Sequence, residues 1–354
     1  MSLLDRTSRL LSALRATPPL QHLYGVHPRT GAPFQDLRVA TIVDGFTRAC
    51  LEPEVTLLAV DARSWRLQLP VFQPQLLFVE STWRGAHDSW KRKLASYAGH
   101  TDDTLAEVIG YCRRRSIPTV FWNKEDPVHF DRFLAAAKLF DHVFTTEAAC
   151  VERYRAAGIA RAAPLLFAAQ PVLHYPGAAT RDNVVCFAGS YGEAELGVRR
   201  TDLEALLDGA AAFPLRILDR QATTGSESNA FPERFRRFVQ PGVDYRALAD
   251  LQRRYKVFLN VNAIRDSRTM FSRRVFELLA SGAAVVSSPN AGVHELFGDI
   301  VAIASDRTQA ASAIRRFLDD DAHRERVAKR GIERVAAGHT YAHRMREVCT
   351  AVGL

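Results

Sequence analysis

The chain has few cysteines, no long apolar run and no repeated spacing of metal-binding residues. Cys50, Cys112, Cys150, Cys186 and Cys349 are scattered, odd in number and never paired as C-x-x-C. That argues against a disulfide framework or a zinc site and for a reducing compartment, here the cytoplasm. No stretch approaches the ~20 apolar residues of a membrane-spanning helix. The opening, MSLLDRTSRLLSALRATPPL, lacks the continuous apolar core of a secretory signal. Leu3, Leu4, Leu10, Leu11 and Leu14 recur there at helical spacing with Arg6, Arg9 and Arg15 between them. A short helix docked on the body is the preferred reading, and peripheral contact with the inner face of a membrane is the other. Zinc-finger spacing, RNP-like aromatics and long basic runs are missing too, so nucleic acid is not an expected partner. There is no P-loop and no G-x-G-x-x-G, hence no signature of an ATP or dinucleotide site.

What is present is a 354-residue chain, 47% hydrophobic and 24% charged, the balance of a globular protein with room for two domains. The net charge of +8 is carried mostly by arginine, which suits a phosphate-bearing ligand. Short apolar runs alternate with amphipathic stretches from about residue 37. Expected strands are Leu37–Val43, Val55–Val60, Leu76–Val79, Pro118–Trp122, His142–Thr145 and Pro164–Phe167. After a break come Val184–Ala188, Leu215–Leu218, Val257–Val261, Ala284–Ser287 and Ile300–Ala304. Runs such as LLFV, VVCFA and AAVV are continuously apolar, as parallel strands covered on both faces must be. Helices are expected at Asp103–Arg115, Phe130–Phe140, Ala148–Gly158 and Arg200–Gly209, with two or three more after Arg307. This alternation is that of parallel α/β sheets. The pattern resets at AQPVLHYPGAATRD, residues 169–182, the expected linker.

Ligands of open α/β sheets bind where strands end. FWNKEDPVHF, Phe121–Phe130, runs from an apolar strand straight into Asn123, Lys124, Glu125 and Asp126. That group can set a carboxylate, an ammonium and an amide around one reacting centre, or can be a loop in which Asn123 or Asp126 caps the next helix. His129 fits a helix surface as well as a catalytic role. In Ser267–Asp299, Ser272 or Ser267 can cap a helix bearing Val275, Leu278 and Leu279 that stops at Gly282. Arg273 or Arg274 at its start could grip a diphosphate, and Glu277 could accept both hydroxyl protons of a ribose. A solvated Arg273–Glu277 ion pair is the plainer alternative. Gly189, Ser190 and Tyr191 close another strand with backbone amides suited to phosphate, or form a plain turn.

Taken in order, LRVATIVDGFT, LLFVESTWRGAHDSWKRKL, IPTVFWNKEDPVHFDRF, AKLFDHVFTTEAACVERY, LLFAAQP, VVCFAGSY and VFLNVNAIRDSRTMFSRRVFELLASGAAVVSSPNAGVHELF resemble bacterial glycosyltransferases of the CgeB-like group. These are relatives of glycosyltransferase family 4. The resemblance runs from about residue 37 to the C-terminus. It implies an α/β chain of GT-B type, two Rossmann-like parallel-sheet domains facing a central cleft. The expected segments are an N-terminal helical extension (1–36), an acceptor-side domain (37–172), a nucleotide-sugar-binding domain (180–338) and a helix crossing back to the first domain (339–354). Carried over, Glu277 would bind the donor ribose and Arg273 or Arg274 the pyrophosphate, with Gly189, Ser190, Tyr191 and Asn262 beside the donor. Asp44, Phe46, Trp83, Asn123 and His129 would lie on the acceptor side.

One departure stands out. Family 4 carries a pair of glutamates separated by seven residues. Thr269 stands eight positions before Glu277, so the first is missing. No D-x-D pair follows a strand, in keeping with donor binding by arginine and helix dipole, without metal or cofactor. The expected activity is therefore metal-independent transfer from a nucleotide sugar to a glycan, lipid-linked, protein or small-molecule acceptor. Lys124 would assist Arg273 or Arg274 at the diphosphate, and if the reaction inverts, Glu125 or Asp126 is the expected base. If it retains, as the analogy prefers, the diphosphate takes the proton. A nucleotide-sugar 2-epimerase of the same fold and a catalytically idle module binding a glycan or partner are the alternatives.

Overall fold

The computed structural model of the chain describes residues 26–27, 33–177, 180–192, 197–222 and 230–354. The expected N-terminal amphipathic helix lies outside them. The chain divides into two compact units. Unit 1 takes in the described residues up to Thr145, with Cys150–Ala163 and Met345–Leu354; unit 2 holds Thr146–Ala149 and Pro164–Arg344.

Unit 1 is built on strands β1 (Val26–His27), β2 (Phe34–Ile42), β3 (Val55–Ala59), β4 (Leu76–Glu80), β5 (Thr119–Asn123), β6 (His142–Thr145) and β7 (Ala162–Pro164), in the order β1-β3-β2-β4-β5-β6-β7. Strands β2 to β6 pair in parallel, and β1 runs antiparallel to β3 at the edge. Unit 2 carries β8 (Asp182–Gly189), β9 (Leu215–Asp219), β10 (Val239–Pro241), β11 (Tyr255–Asn260), β12 (Ala284–Ser287) and β13 (Ala302–Ile303). Their order is β10-β9-β8-β11-β12-β13, all parallel. The two parallel sheets interleaved with helices match the expected Rossmann-like α/β class.

The parallel part of each sheet begins at an inner strand, β2 or β8, adds neighbours on one side, then jumps back and builds on the other. In unit 1 the reversal lies between β2 and β4, in unit 2 between β8 and β11. Loops leaving such a pair diverge to opposite sides of the sheet and leave a crevice at the strand ends. The strands reach it through solid core. Every residue of β4 (LLFVE), β5 (TVFWN) and β12 (AVVS) is buried, including the polar residue that ends each one.

Several boundaries differ from expectation for identifiable reasons. The strand expected at Pro164–Phe167 is Ala162–Pro164, because Pro164 has no N–H to extend the ladder. Ile300–Ala304 shrinks to the two residues of β13. Helix Trp65–Phe72 holds Pro70 inside it and was not expected. Helix Tyr245–Arg254, capped by the Asp244 carboxylate on the Arg246 and Ala247 amides, was not expected either. Helix Arg274–Ala280 has no side-chain cap: Ser267 instead accepts from the Thr269 and Met270 amides in the preceding turn. Its end is as expected, with Gly282 left-handed at φ 72°. All five cysteines are buried thiols. Among the described residues no helix is long and apolar enough to cross a membrane.

Helices Gly197–Ala210 and Arg307–Asp319 approach closely because Gly209 has no side chain. A Cβ there would stand 2.6 Å from the Arg307 carbonyl oxygen and 2.7 Å from the Ala310 Cβ. Gly209→Val should therefore cost about 1–3 kcal/mol in urea unfolding. Gly197→Ala, where an added Cβ meets nothing within 4 Å, should cost nothing measurable in the same assay.

Candidate active site

In unit 1 the crevice is floored by charge. Asp44 follows β2 and Glu80 ends β4, while Lys124 follows β5. The Lys124 ammonium lies 2.9 Å from Glu80 Oε1 and 3.1 Å from Asp44 Oδ2, with its Nζ 3.9 Å from the centre of the Phe46 ring. Glu80 also accepts from the Asp44 amide and, at 2.6 Å, from the Thr47 hydroxyl. The Thr82 hydroxyl donates to the other Asp44 oxygen. The Lys124 backbone is pinned by its amide donating to Ser81 Oγ at 2.9 Å. The Glu80 side chain is 0% and that of Lys124 4% exposed, whereas Asp44 is 31% exposed. Burial raises the Glu80 carboxyl to about 7 against the opposing pull of Lys124. Lys124, expected to help hold a diphosphate, is thus committed to two carboxylates.

The other expected residues of this segment split into two sets. Asn123 and Asp126 turn inward and are fully buried. Asn123 Nδ2 donates to Asp126 Oδ1 and to the Tyr154 oxygen, both at 2.8 Å; Asp126 Oδ2 accepts from Thr145 at 2.6 Å and from Tyr154 at 2.9 Å. Burial and the Asp126 charge push the Tyr154 phenol far up. This is the frame of the loop rather than a reacting surface, so the roles expected of Asp126 as a base and of Asn123 at the acceptor do not fit their placement. Neither caps the following helix, whose N-cap is His129. Glu125, Trp83 and His129 form the outer rim. Glu125 lies 4.0 Å from His129, and Trp83 meets the His129 ring edge-on at 5.2 Å. Burial holds the Glu125 carboxyl above its ordinary range.

In unit 2 the corresponding crevice is cationic. Helix Arg274–Ala280 starts beside the ends of β8 and β11. Glu277, 1% exposed, accepts from the Tyr245 hydroxyl at 2.7 Å on Oε1, which also faces Arg273 at 3.5 Å. Its Oε2 is buried without a hydrogen-bond partner in the protein. Burial would raise this carboxyl, but Arg273, His174, the Tyr245 hydrogen bond and Arg274 together hold it below the usual range. The ion pair expected on a solvated face is therefore present but buried. Arg274 is half-buried, and its Nε is buried with no partner in the protein; burial, then the charges of Arg273, Arg220 and Arg199, lower it to about 9. A Cβ on Gly189 would meet Arg274 Nη1 at 3.6 Å, so the β8 turn and this guanidinium are neighbours. Arg199 locks that turn by donating to the carbonyls of Tyr191 (2.7 Å) and Ser190 (3.1 Å).

Two expected donor residues are differently employed. The Tyr191 hydroxyl is bonded to Glu204. Asn262 is a buried peg. Its Nδ2 donates to Ser287 Oγ and to the Ser288 carbonyl, both at 3.1 Å, and its Oδ1 accepts from the Ser272 amide at 3.1 Å. Thr269, where the first family glutamate would stand, accepts from the Ala148 amide at 2.8 Å within the same unit. Among the described residues no three His, Cys, Asp or Glu side chains gather as metal ligands.

The comparisons bear on this geometry. Residues 200–350, which include Tyr245, Arg273, Arg274 and Glu277 but not the turn after β8, match the family model described as "Glycosyl transferase-like". No curated protein matches the chain. Among solved structures, the glycosyltransferase from Rickettsia africae ESF-5 is 8% identical at a TM-score of 0.56, covering 90% of this chain and 98% of that one. Anabaena Alr3699/HepE in complex with UDP and glucose is 14% identical at 0.54, covering 89% and 91%. Sucrose-phosphate synthase (tll1590) from Thermosynechococcus elongatus is 16% identical at 0.50, covering 81% and 76%. The fold is GT-B. At these identities the likeness speaks for architecture alone, and the chemistry rests on the side chains.

Four GT-B side chains in these crevices escaped the sequence reading as site residues: Glu80, Arg199, Tyr245 and His174. His174 accepts from the Gln170 amide at 3.1 Å on Nδ1, and its buried Nε2 has no partner in the protein. The Asp126 frame supplies a direct check. Asp126→Ala strands buried donors on Asn123, Thr145 and Tyr154 and should cost about 3 kcal/mol or more in urea unfolding, whereas Tyr154→Phe should cost about 1 kcal/mol.

Proposed function

We propose that the protein is a glycosyltransferase that moves a sugar from a nucleotide-sugar donor to an acceptor without a metal or other cofactor. The observation that carries this reading is Glu277. One carboxylate oxygen is fixed by Tyr245, the other is buried without a partner, and Arg273 and Arg274 stand beside it. An ionised carboxylate accepts from hydroxyl groups, and ribose hydroxyls are suitable donors. The adjoining guanidiniums match a diphosphate, whose charge grows as it leaves the anomeric carbon. Arg274 meets its surroundings through crowded like charge, so an anion there relieves repulsion as well as forming hydrogen bonds. The matched family description and the binding of UDP and glucose by the Anabaena neighbour support the same donor class.

The acceptor, whether glycan, lipid-linked, protein or small molecule, is assigned to the unit 1 crevice lined by Asp44, Phe46, Trp83 and His129. A cytoplasmic setting is consistent with five unbridged thiols.

Calorimetry with UDP, GDP, dTDP and ADP, with and without EDTA, tests the donor site. One diphosphate should bind in the micromolar range, unchanged by EDTA. Glu277→Ala should weaken it about 10–100-fold, the worth of hydrogen bonds to a charged acceptor. Because Glu277 is held below the ordinary carboxylate range, its contribution should stay level from about pH 5 to about pH 8 and fade only in stronger acid. Failure of all four to bind would sink the proposal.

A further inference from the structure

Beside Glu277 in unit 2 lies another buried polar atom without a partner in the protein, Nε2 of His174. We infer that His174 is a specificity-determining residue, whose Nε2–H and the unpartnered Glu277 oxygen together read the hydroxyls of the donor's ribose and turn away deoxyribose nucleotides. This rests on the glycosyltransferase reading of Glu277 and adds to it the class of nucleotide accepted.

His174 sits in a tight turn, in which the Gln170 carbonyl accepts from the amides of Leu173 at 2.9 Å and His174 at 2.7 Å. The Gln170 amide donates in turn to His174 Nδ1 at 3.1 Å. Nδ1 is therefore the lone-pair nitrogen, and in a neutral ring the proton stands on Nε2. Burial lowers the pKa of the ring against the pull of Glu277, and the charges of Arg273 and Arg253 lower it further, so the ring is neutral at about pH 7. Arg253 also fastens the turn, its Nη1 donating to the Leu173 carbonyl at 2.7 Å. The ring thus presents one rigid N–H donor, buried and without an acceptor in the protein.

The His174 ring packs edge-on against Tyr245 with centroids 5.7 Å apart, and Tyr245 donates to Glu277 Oε1 at 2.7 Å. Glu277 Oε2 is the converse of the imidazole N–H, a buried acceptor without a donor. Each lacks a partner, so the two do not bond one another, yet among charges Glu277 acts most strongly on His174. A donor and an acceptor set together fit groups that accept and donate at once. A phosphate oxygen would satisfy His174 and be repelled by Glu277, and an ammonium would do the reverse. Hydroxyls do both, and a ribose carries two side by side. Arg273 and Tyr245 reach solvent while Glu277 and His174 do not, so a nucleotide enters past the first two. With a ribose in place both buried groups are bonded. With a deoxyribose one of them stays bare, the mismatch that a hydrogen-bonding site rejects most strongly. All of these residues belong to unit 2.

The test is calorimetry on the full chain with UDP, GDP and ADP, their 2′-deoxy and 3′-deoxy forms, and dTDP. The diphosphate that binds should be a ribonucleotide, held at least about 10-fold more tightly than one of its deoxy forms. His174→Phe keeps a ring but no donor and should cut that preference at least about 5-fold. His174→Gln loses the bond from the Gln170 amide just as the phenylalanine does, but carries an N–H near the place of Nε2 and should keep most of the preference. A residue that only shaped the turn would lower ribose and deoxyribose affinities alike in both variants and leave their ratio unchanged. Tighter binding of dTDP than of any ribonucleotide overturns the inference. So does wild-type binding of both deoxy forms within a few-fold of the ribonucleotide, or a preference in His174→Phe equal to that of wild type, as when Nε2 bonds only a trapped water. Equal loss of preference in the two variants overturns it as well. Absence of any diphosphate binding instead fells the glycosyltransferase reading and, with it, this one.

Discussion

At the inner strand of each sheet the order of assembly reverses, and that reversal fixes where polar groups can be afforded. Every other part of a parallel strand is covered on both faces and must be apolar. At the reversal the neighbouring loops part, and polar groups gather at the strand ends: Asp44, Glu80 and Lys124 in unit 1, and in unit 2 Arg273 and Glu277 of helix Arg274–Ala280 with Tyr245. Charges gathered there are still largely cut off from water, so each must find an opposite charge or a hydrogen bond. The Lys124 triad and the Glu277–Arg273–Tyr245 group are two answers to that one demand.

The answers differ in sign. Unit 1 offers carboxylate in excess around one ammonium. Unit 2 offers guanidinium in excess around one carboxylate, a composition suited to an anion bearing hydroxyls. The same strand-end architecture can thus carry opposite charge compositions, because the residues that set them stand at and beyond the strand ends.

Much of the fold was legible because strands buried on both faces write themselves as unbroken apolar runs: LLFV, VVCFA and AAVV each mark a strand. The short edge strand β10, with the sequence VQP, lacks such a run, and Pro70 disguised a helix that tolerates it. The site was legible in part. Glu277, Arg273 and Arg274 stood out by helical spacing, and Lys124 by following a strand. Glu80 directly follows the expected strand Leu76–Val79 but was given no role, since periodicity cannot say whether a carboxylate there points in or out. Asp126 misled for the converse reason. Its sequence neighbours are polar, and only tertiary structure shows Tyr154 and Thr145 closing over it. Tyr245 and His174 lie some thirty and one hundred residues before Glu277, beyond the reach of any local pattern.

The peg formed by Asn262 joins the end of β11, the end of β12 and the turn before helix Arg274–Ala280 using only amide, hydroxyl and carbonyl groups. Neutral hydrogen bonds are indifferent to dissolved ions, whereas the attraction between guanidiniums and an anionic ligand is screened over about 10 Å at 0.1 M salt. The frame of the cationic crevice and its grip on a ligand therefore answer to different solution variables. Under the proposed donor site, ionic strength would tune how tightly an anion is held while leaving the Asn262 peg untouched.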